Sequence, residues 1–200
     1  MNFGTLLRSA LIGLGALSLA SCGINSVPTA EENAKAKWAD VEAAYQQRAN
    51  LIPNIEAIVK GAASSEENIL TGVTEARAKA GSVQLSADDL NDADKMEAYA
   101  QAQEQLGSGL SRLFATVEAY PDIKSNQNFT MAQKQVEGLE SRVRIAIKDY
   151  NEAVRQYNTT IRTFPDTIGA NIIHGAEPLV PYSAVTEGAD ETQVMDVGGN

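Results

Sequence analysis

Two hundred residues of ordinary apolar content are enough for one domain with a sizeable core. Sixteen basic against 26 acidic side chains leave a net charge of −10, which excludes a phosphate-backbone partner, because nucleic-acid binding needs clustered Lys and Arg. A single cysteine, Cys22, and a single histidine, His174, exclude an intramolecular disulfide and a zinc site of the usual kind.

The chain opens as an export signal over residues 1–21. Arg8 is its lone charge, an apolar stretch runs from Leu11 to Leu19, and the small Ala20 and Ser21 precede Cys22. That stretch is too short to span a bilayer, which takes about 20 apolar residues. The run Leu19-Ala20-Ser21-Cys22 resembles a bacterial lipobox. This implies a diacylated thiol, removal of the signal, and Cys22 as the mature N-terminus. Acyl chains contributing about 0.8 kcal/mol per buried CH₂ then hold the protein at a membrane of the bacterial envelope. An uncleaved signal anchor and a plain secretory signal with an incidental cysteine are the alternatives. Gly23 stands after the cysteine where an inner-membrane lipoprotein would carry Asp, so a host with two membranes is expected to place the protein in the outer one, facing the periplasm.

Residues 22–29 read as a tether, small, polar and proline-bearing. Thr29 and Glu32 then form a capping-box pattern for a first helix, and the helical body is expected over residues 30–170. Trp38, Val41, Tyr45, Arg48, Ile52, Ile55, Val59, Ala62, Glu66, Ile69, Val73 and Ala76 recur in alternating steps of three and four, with Glu66 filling one seam position. Pro53 interrupts this run, and a reversal of the chain at Asn50–Asn54 is expected in preference to a kink. It would bring Tyr45 against Ile58 or Val59. After a connection over Gly81–Asn91, a second run holds Met96, Tyr99, Gln103, Leu106, Leu110, Leu113, Val117 and Tyr120. A third places Phe129, Val136, Val143, Tyr150, Tyr157 and Phe164 seven apart. It predicts a helix of about 58 Å over Ser125–Thr163. Residues 171–200 lack a helical period and read as an irregular acidic tail, in which "EPLVPYSAV" packs on the body and the end from Glu187 is disordered. The fold class is all-α, an antiparallel up-and-down four-helix bundle with long helices.

The phrases "QQRANLIPNIEAIVKGAASSE", "VTEAR", "EAYPDIKSNQNF", "EGLESRV", "DYNEAVRQYN" and "TFPDTIGA" resemble the LemA family across nearly all of Lys37–Ala170. The resemblance implies a four-helix up-and-down bundle held outside the cytoplasm on a membrane anchor, with no settled activity. Related domains occur in some magnetosome-membrane proteins, which implies a part in organising membranes. The chain departs from the pattern at Ser65, Ser141 and Ile147, where the family has His, Asn and Arg, and in carrying a lipobox in place of an uncleaved helix.

Arg48 occupies a seam position among apolar neighbours, with Glu66, Arg77, Glu140 and Arg142 as candidate partners. The pattern fits a buried ion-pair network that sets helix register, or an anion site inside the bundle. Asn151 and Asn158 stand beside Tyr150 and Tyr157 and join that polar set. No Ser/His/Asp arrangement, P-loop or dinucleotide turn occurs, so neither an enzyme nor a cofactor nor a metal is expected. The connection "AYPDIKSNQNF" offers Tyr120, Pro121, Asp122, Lys124, Asn126, Asn128 and Phe129 as a surface for an envelope protein partner; its competing role is to staple two helix ends and cap the turn. The expected function is that of a lipid-anchored interaction or scaffold module. The alternative is a carrier or receptor for a small amphipathic ligand between the helices, which needs an apolar cavity of at least about 300 Å³.

Overall fold

The computed structural model describes the backbone of residues 3–62 and 67–183, and the side chains of residues 25–60 and 70–183. Every regular element among the described residues is helical. The long helices are α1 (Phe3–Ala62), α2 (Glu67–Ser82), α3 (Ala93–Val117) and α5 (Gln127–Thr160), with single-turn helices α4 (Pro121–Lys124) and α6 (Asp166–Gly169) at two of the bends.

Pro53 does not reverse the chain. α1 runs unbroken from Phe3 to Ala62 with Pro28 and Pro53 inside it, so Tyr45 and Val59 lie on one helix and do not face each other. Proline in a helix interior costs about 3 kcal/mol. Ile52, Ile55 and Val59 keep the apolar phase across it and are almost fully buried, each contributing about 1.5–3 kcal/mol, which offsets that cost. The first helix therefore ends after Ala62, and the passage to α2 falls at residues 63–66, outside the described residues along with Glu66.

The expected start at Thr29 is also corrected. α1 is already helical through residues 22–29, Val27 is fully buried, and Thr29 donates from Oγ1 to Asn25 O in the preceding turn, so it caps nothing. No helix among the described residues is long and apolar enough to cross a membrane.

α1 packs along α5, and α2 along α3. The α1/α5 register is antiparallel: Ser26 bonds Asp166 at 2.6 Å, Trp38 meets Tyr150, and Arg48 meets Glu140. Two core clusters stack along this axis. One, around Ile52, Ile55, Leu106, Leu110, Leu113 and Phe129, lies at the α4 end. The other, around Trp38, Tyr99, Tyr150 and Tyr157, lies at the opposite end. α2 stops at Ser82, too short to reach the second cluster, and irregular chain takes its place. Leu85 and Leu90 enter from the segment before α3, and Leu179 and Tyr182 from the tail. Phe129, Val136, Val143, Tyr150 and Tyr157 are buried as the heptad predicts. Phe164 is 74% exposed, because α5 ends at Thr160 and the seam ends with it.

Candidate functional site

The α3–α5 turn is closely specified by its own residues. Tyr120 takes an extended conformation at the N-cap of α4, as a residue before proline prefers, and Pro121 fills the first helical turn, where no amide proton is needed. Asn126 caps α5, accepting Asn128 N on its side chain at 2.9 Å. Phe129 is buried edge-on to Phe114 with ring centroids 5.8 Å apart, and Ile123 is buried below the turn. Tyr120 packs against the same core cluster, and Lys124 pairs with Glu118. Asp122, Lys124 and Asn128 are left exposed. Tyr120, Pro121, Asn126 and Phe129 thus shape the turn, and the surface it presents is narrower than the sequence suggests.

Among the described residues Arg48 is the buried charge. Its Nη1 donates to Glu140 Oε1 at 2.9 Å, and its Nη2 donates to Gln103 O and Oε1 at 2.8 and 2.9 Å. The guanidinium lies 4.8 Å from the centre of the Tyr45 ring. Only its Nε lacks a partner. This network ties α1 to α3 and α5 through a single side chain. Glu140 is the partner that the sequence pattern proposes; Arg142 instead reaches Gln47 at 3.4 Å on the exposed face, and Arg77 sits on α2 outside the network. Gln103 went unassigned because an amide on a seam carries no charge to mark it.

Asn151 and Asn158 do not join Arg48. They hold the tail. Asn158 pairs both of its amide atoms with the backbone of Leu179, and Asn151 does the same with Tyr182. Tyr182 Oη then lies 2.6 Å from Tyr45 Oη. The signal for this seat was present in the sequence as two Tyr-Asn pairs seven residues apart, together with an apolar, proline-spaced tail.

Residues 37–197 match the LemA family, well over half of the chain. The chain belongs to the LemA family. The match runs beyond Ala170, where the recognisable phrases stop, and takes in the tail and its seat. This LemA-family chain is also similar to magnetosome proteins MamQ 1 and MamQ 2 of Paramagnetospirillum magneticum, each 27% identical over 157 residues. Those matches cover 70% of the chain and 58% of each relative, so the shared region is little more than half the length of those proteins.

The LemA-family core is rich in buried phenols, and this has a pH signature. Burial pushes Tyr45, Tyr99, Tyr150, Tyr157 and Tyr182 above the ordinary phenol value, with the neighbouring Tyr182 adding to the effect at Tyr45. An acid whose folded pKa is raised contributes stability that is full below its unfolded value, about 10, and is lost as pH rises through the folded value. Phenolate absorbance is expected to show Tyr45, Tyr99 and Tyr150, the three most strongly raised, still silent above pH about 10 and ionising together with the loss of helix. Independent ionisation near pH 10, with helix intact, would contradict the burial described.

Proposed function

We propose that this chain is a lipid-anchored protein of the bacterial envelope whose body, an antiparallel up-and-down bundle of four long helices, is a binding and scaffold module for another envelope protein. The anchor is lipid on Cys22, and in a host with two membranes the module faces the periplasm. The observation that carries this reading is how the interior polar groups are spent. Arg48 donates to both Gln103 and Glu140, and Asn151 and Asn158 bond the tail. They hold the body together, and a polar turn with Asp122, Lys124 and Asn128 exposed is left at one end. The similarity to proteins named for the magnetosome supports a place at membranes.

The test is Asp122→Lys combined with Lys124→Glu, chosen because neither side chain caps a helix or enters the core. Asn126→Ala would confuse the result by removing a cap, a loss of about 1 kcal/mol. Crosslinking pull-down from intact cells is expected to lose envelope partners at unchanged melting temperature. Full partner recovery by the folded variant would remove the turn from the interface.

One observation favours the carrier reading as a second. An open cleft of about 620 Å³ lies between α3 and α5, walled by Leu110, Phe114 and Val136 and floored by Arg48 and Glu140. Titration with a fluorescent fatty acid separates the two: saturable one-to-one binding favours the carrier, and non-saturable partition favours the scaffold.

A further inference from the structure

The seat of the tail reads polypeptide main chain. Asn158 donates from Nδ2 to Leu179 O at 2.8 Å and accepts Leu179 N on Oδ1 at 2.9 Å. Asn151 repeats the pair with Tyr182, at 2.8 Å in each direction. The spacing is what makes this work. Seven residues of helix rise about 10.5 Å and three residues of extended chain cover about 10 Å, so amides one heptad apart fall in register with positions i and i+3 of a strand.

Between them, Tyr150 Oη donates to Val180 O at 2.8 Å, and Val180 N donates to Leu90 O at 2.8 Å. Every N–H from Leu179 to Tyr182 is therefore used. The residue left over is Pro181, which has none to offer. Leu179 and Tyr182 point their side chains into the core cluster around Trp38, while Pro181 is exposed. Because the asparagines bond only backbone atoms, the seat selects for an extended conformation with an apolar side chain at the first place and an aromatic three places on, and it accommodates a proline between them because no group there calls for an N–H. Nothing in it requires that the segment belong to the same chain.

We propose that this groove is a peptide-recognition site whose ligand is an extended apolar-x-Pro-aromatic segment of a partner polypeptide, and that residues 177–183 occupy it in cis as a built-in competitor. The groove is wider than the strap that fills it. Beside Pro181 a cleft of about 510 Å³ continues along α5, bordered by Val154, Thr159 and Arg162, so an incoming peptide finds contacts that the tail leaves unused. The strap joins the body at Gly175, whose φ of 56° lies in the left-handed region, giving the tail a single glycine pivot. The inference rests on the interaction-module reading and adds the chemistry of a partner, at a surface remote from the α3–α5 turn.

The experiment uses the full chain with Leu179→Ala and Tyr182→Ala, which removes the two tail side chains buried in the core cluster and so weakens the tail's hold on the seat while leaving its walls unchanged. A fluorescein-labelled peptide of sequence GAEPLVPYS is titrated and followed by anisotropy, with helix content checked by circular dichroism. The tail variant is expected to bind at least about tenfold more tightly than wild type, since an intramolecular competitor at millimolar effective concentration has been removed. Adding Asn151→Ala and Asn158→Ala should abolish the binding. A folded tail variant that binds no better than wild type, or binding indifferent to the two asparagines, overturns the proposal. If the tail variant does not fold, hydrogen exchange on wild type decides: excess unlabelled peptide should speed exchange at Val180 and Tyr182 N–H, and unchanged rates overturn it. Absence of peptide binding while partners are still captured through the α3–α5 turn rejects the groove and leaves the interaction module standing.

Discussion

Trp38→Ala is expected to lower the free energy of unfolding by about 3–5 kcal/mol, out of the roughly 5–15 kcal/mol that holds a domain together. The size of the effect comes from what this one side chain joins. Trp38 is fully buried on α1, edge-on to Tyr99 of α3 at 5.3 Å and to Tyr150 of α5 at 5.2 Å. Its Nε1 donates to Leu85 O at 3.2 Å, in the irregular segment that stands in for the missing half of α2. Truncation opens a cavity where these elements meet and leaves a buried carbonyl unpaired, a further cost of about 1–3 kcal/mol if water does not enter. Trp38→Phe should be milder, keeping the ring contacts and losing only the hydrogen bond and part of the volume. Phe164→Ala, at a site 74% exposed, serves as the control and should leave stability within about 0.5 kcal/mol of wild type. Denaturant unfolding followed by circular dichroism measures all three. A loss below about 1 kcal/mol for Trp38→Ala would mean that the cluster is not the keystone described.

The second large effect is all-or-none. Cys22→Ser is expected to abolish stable membrane retention and block removal of residues 1–21. Excising Arg8 with the signal leaves 15 basic and 26 acidic residues, a net charge of −11, on a body with no spanning helix among its described residues. An anionic leaflet repels such a body, so under the proposed lipid anchor retention would depend on acyl chains, two of which are needed for stable anchoring. Alkaline washing of membranes and intact-mass spectrometry provide the measurement. Serine-variant protein that stays with washed membranes, or wild-type protein whose mass shows a free thiol at Cys22, would reject lipidation as the anchor.

The heptads of α3 and α5 were legible because a buried stripe repeats with the helix, and Val136, Val143, Tyr150 and Tyr157 fall where the period puts them. Arg48 with Glu140 was legible for a related reason, since a charge on an apolar seam advertises its need for an opposite charge. Pro53 misled because its penalty is local, whereas the burial of Ile52 and Ile55 that offsets it is tertiary and has no mark in the sequence. The tail escaped periodic analysis altogether. An extended segment lying on a helix repeats with neither period, and its bonds run from side chain to backbone, so the asparagines name no partner residue type. In the turn, Asn126 is equally plausible as a cap or a contact until geometry assigns its carbonyl to Asn128 N.

The unbroken first helix fixes heights. A continuous α1 rises about 60 Å from Cys22 to Ala62, and Val27 is buried little more than one turn beyond the cysteine. With acyl chains at Cys22, the body begins at the bilayer surface without a leash, and its two exposed features stand at different levels. The tail seat packs around Tyr45 and Trp38, in the half nearer the lipid. The α3–α5 turn shares a core cluster with Ile52 and Val59, in the farther half, tens of ångströms out along the helical rise. A partner bound at the seat would be held within reach of lipid headgroups, and one bound at the turn would be held clear of them, so that a single rigid rod could set the spacing between a membrane and two different proteins.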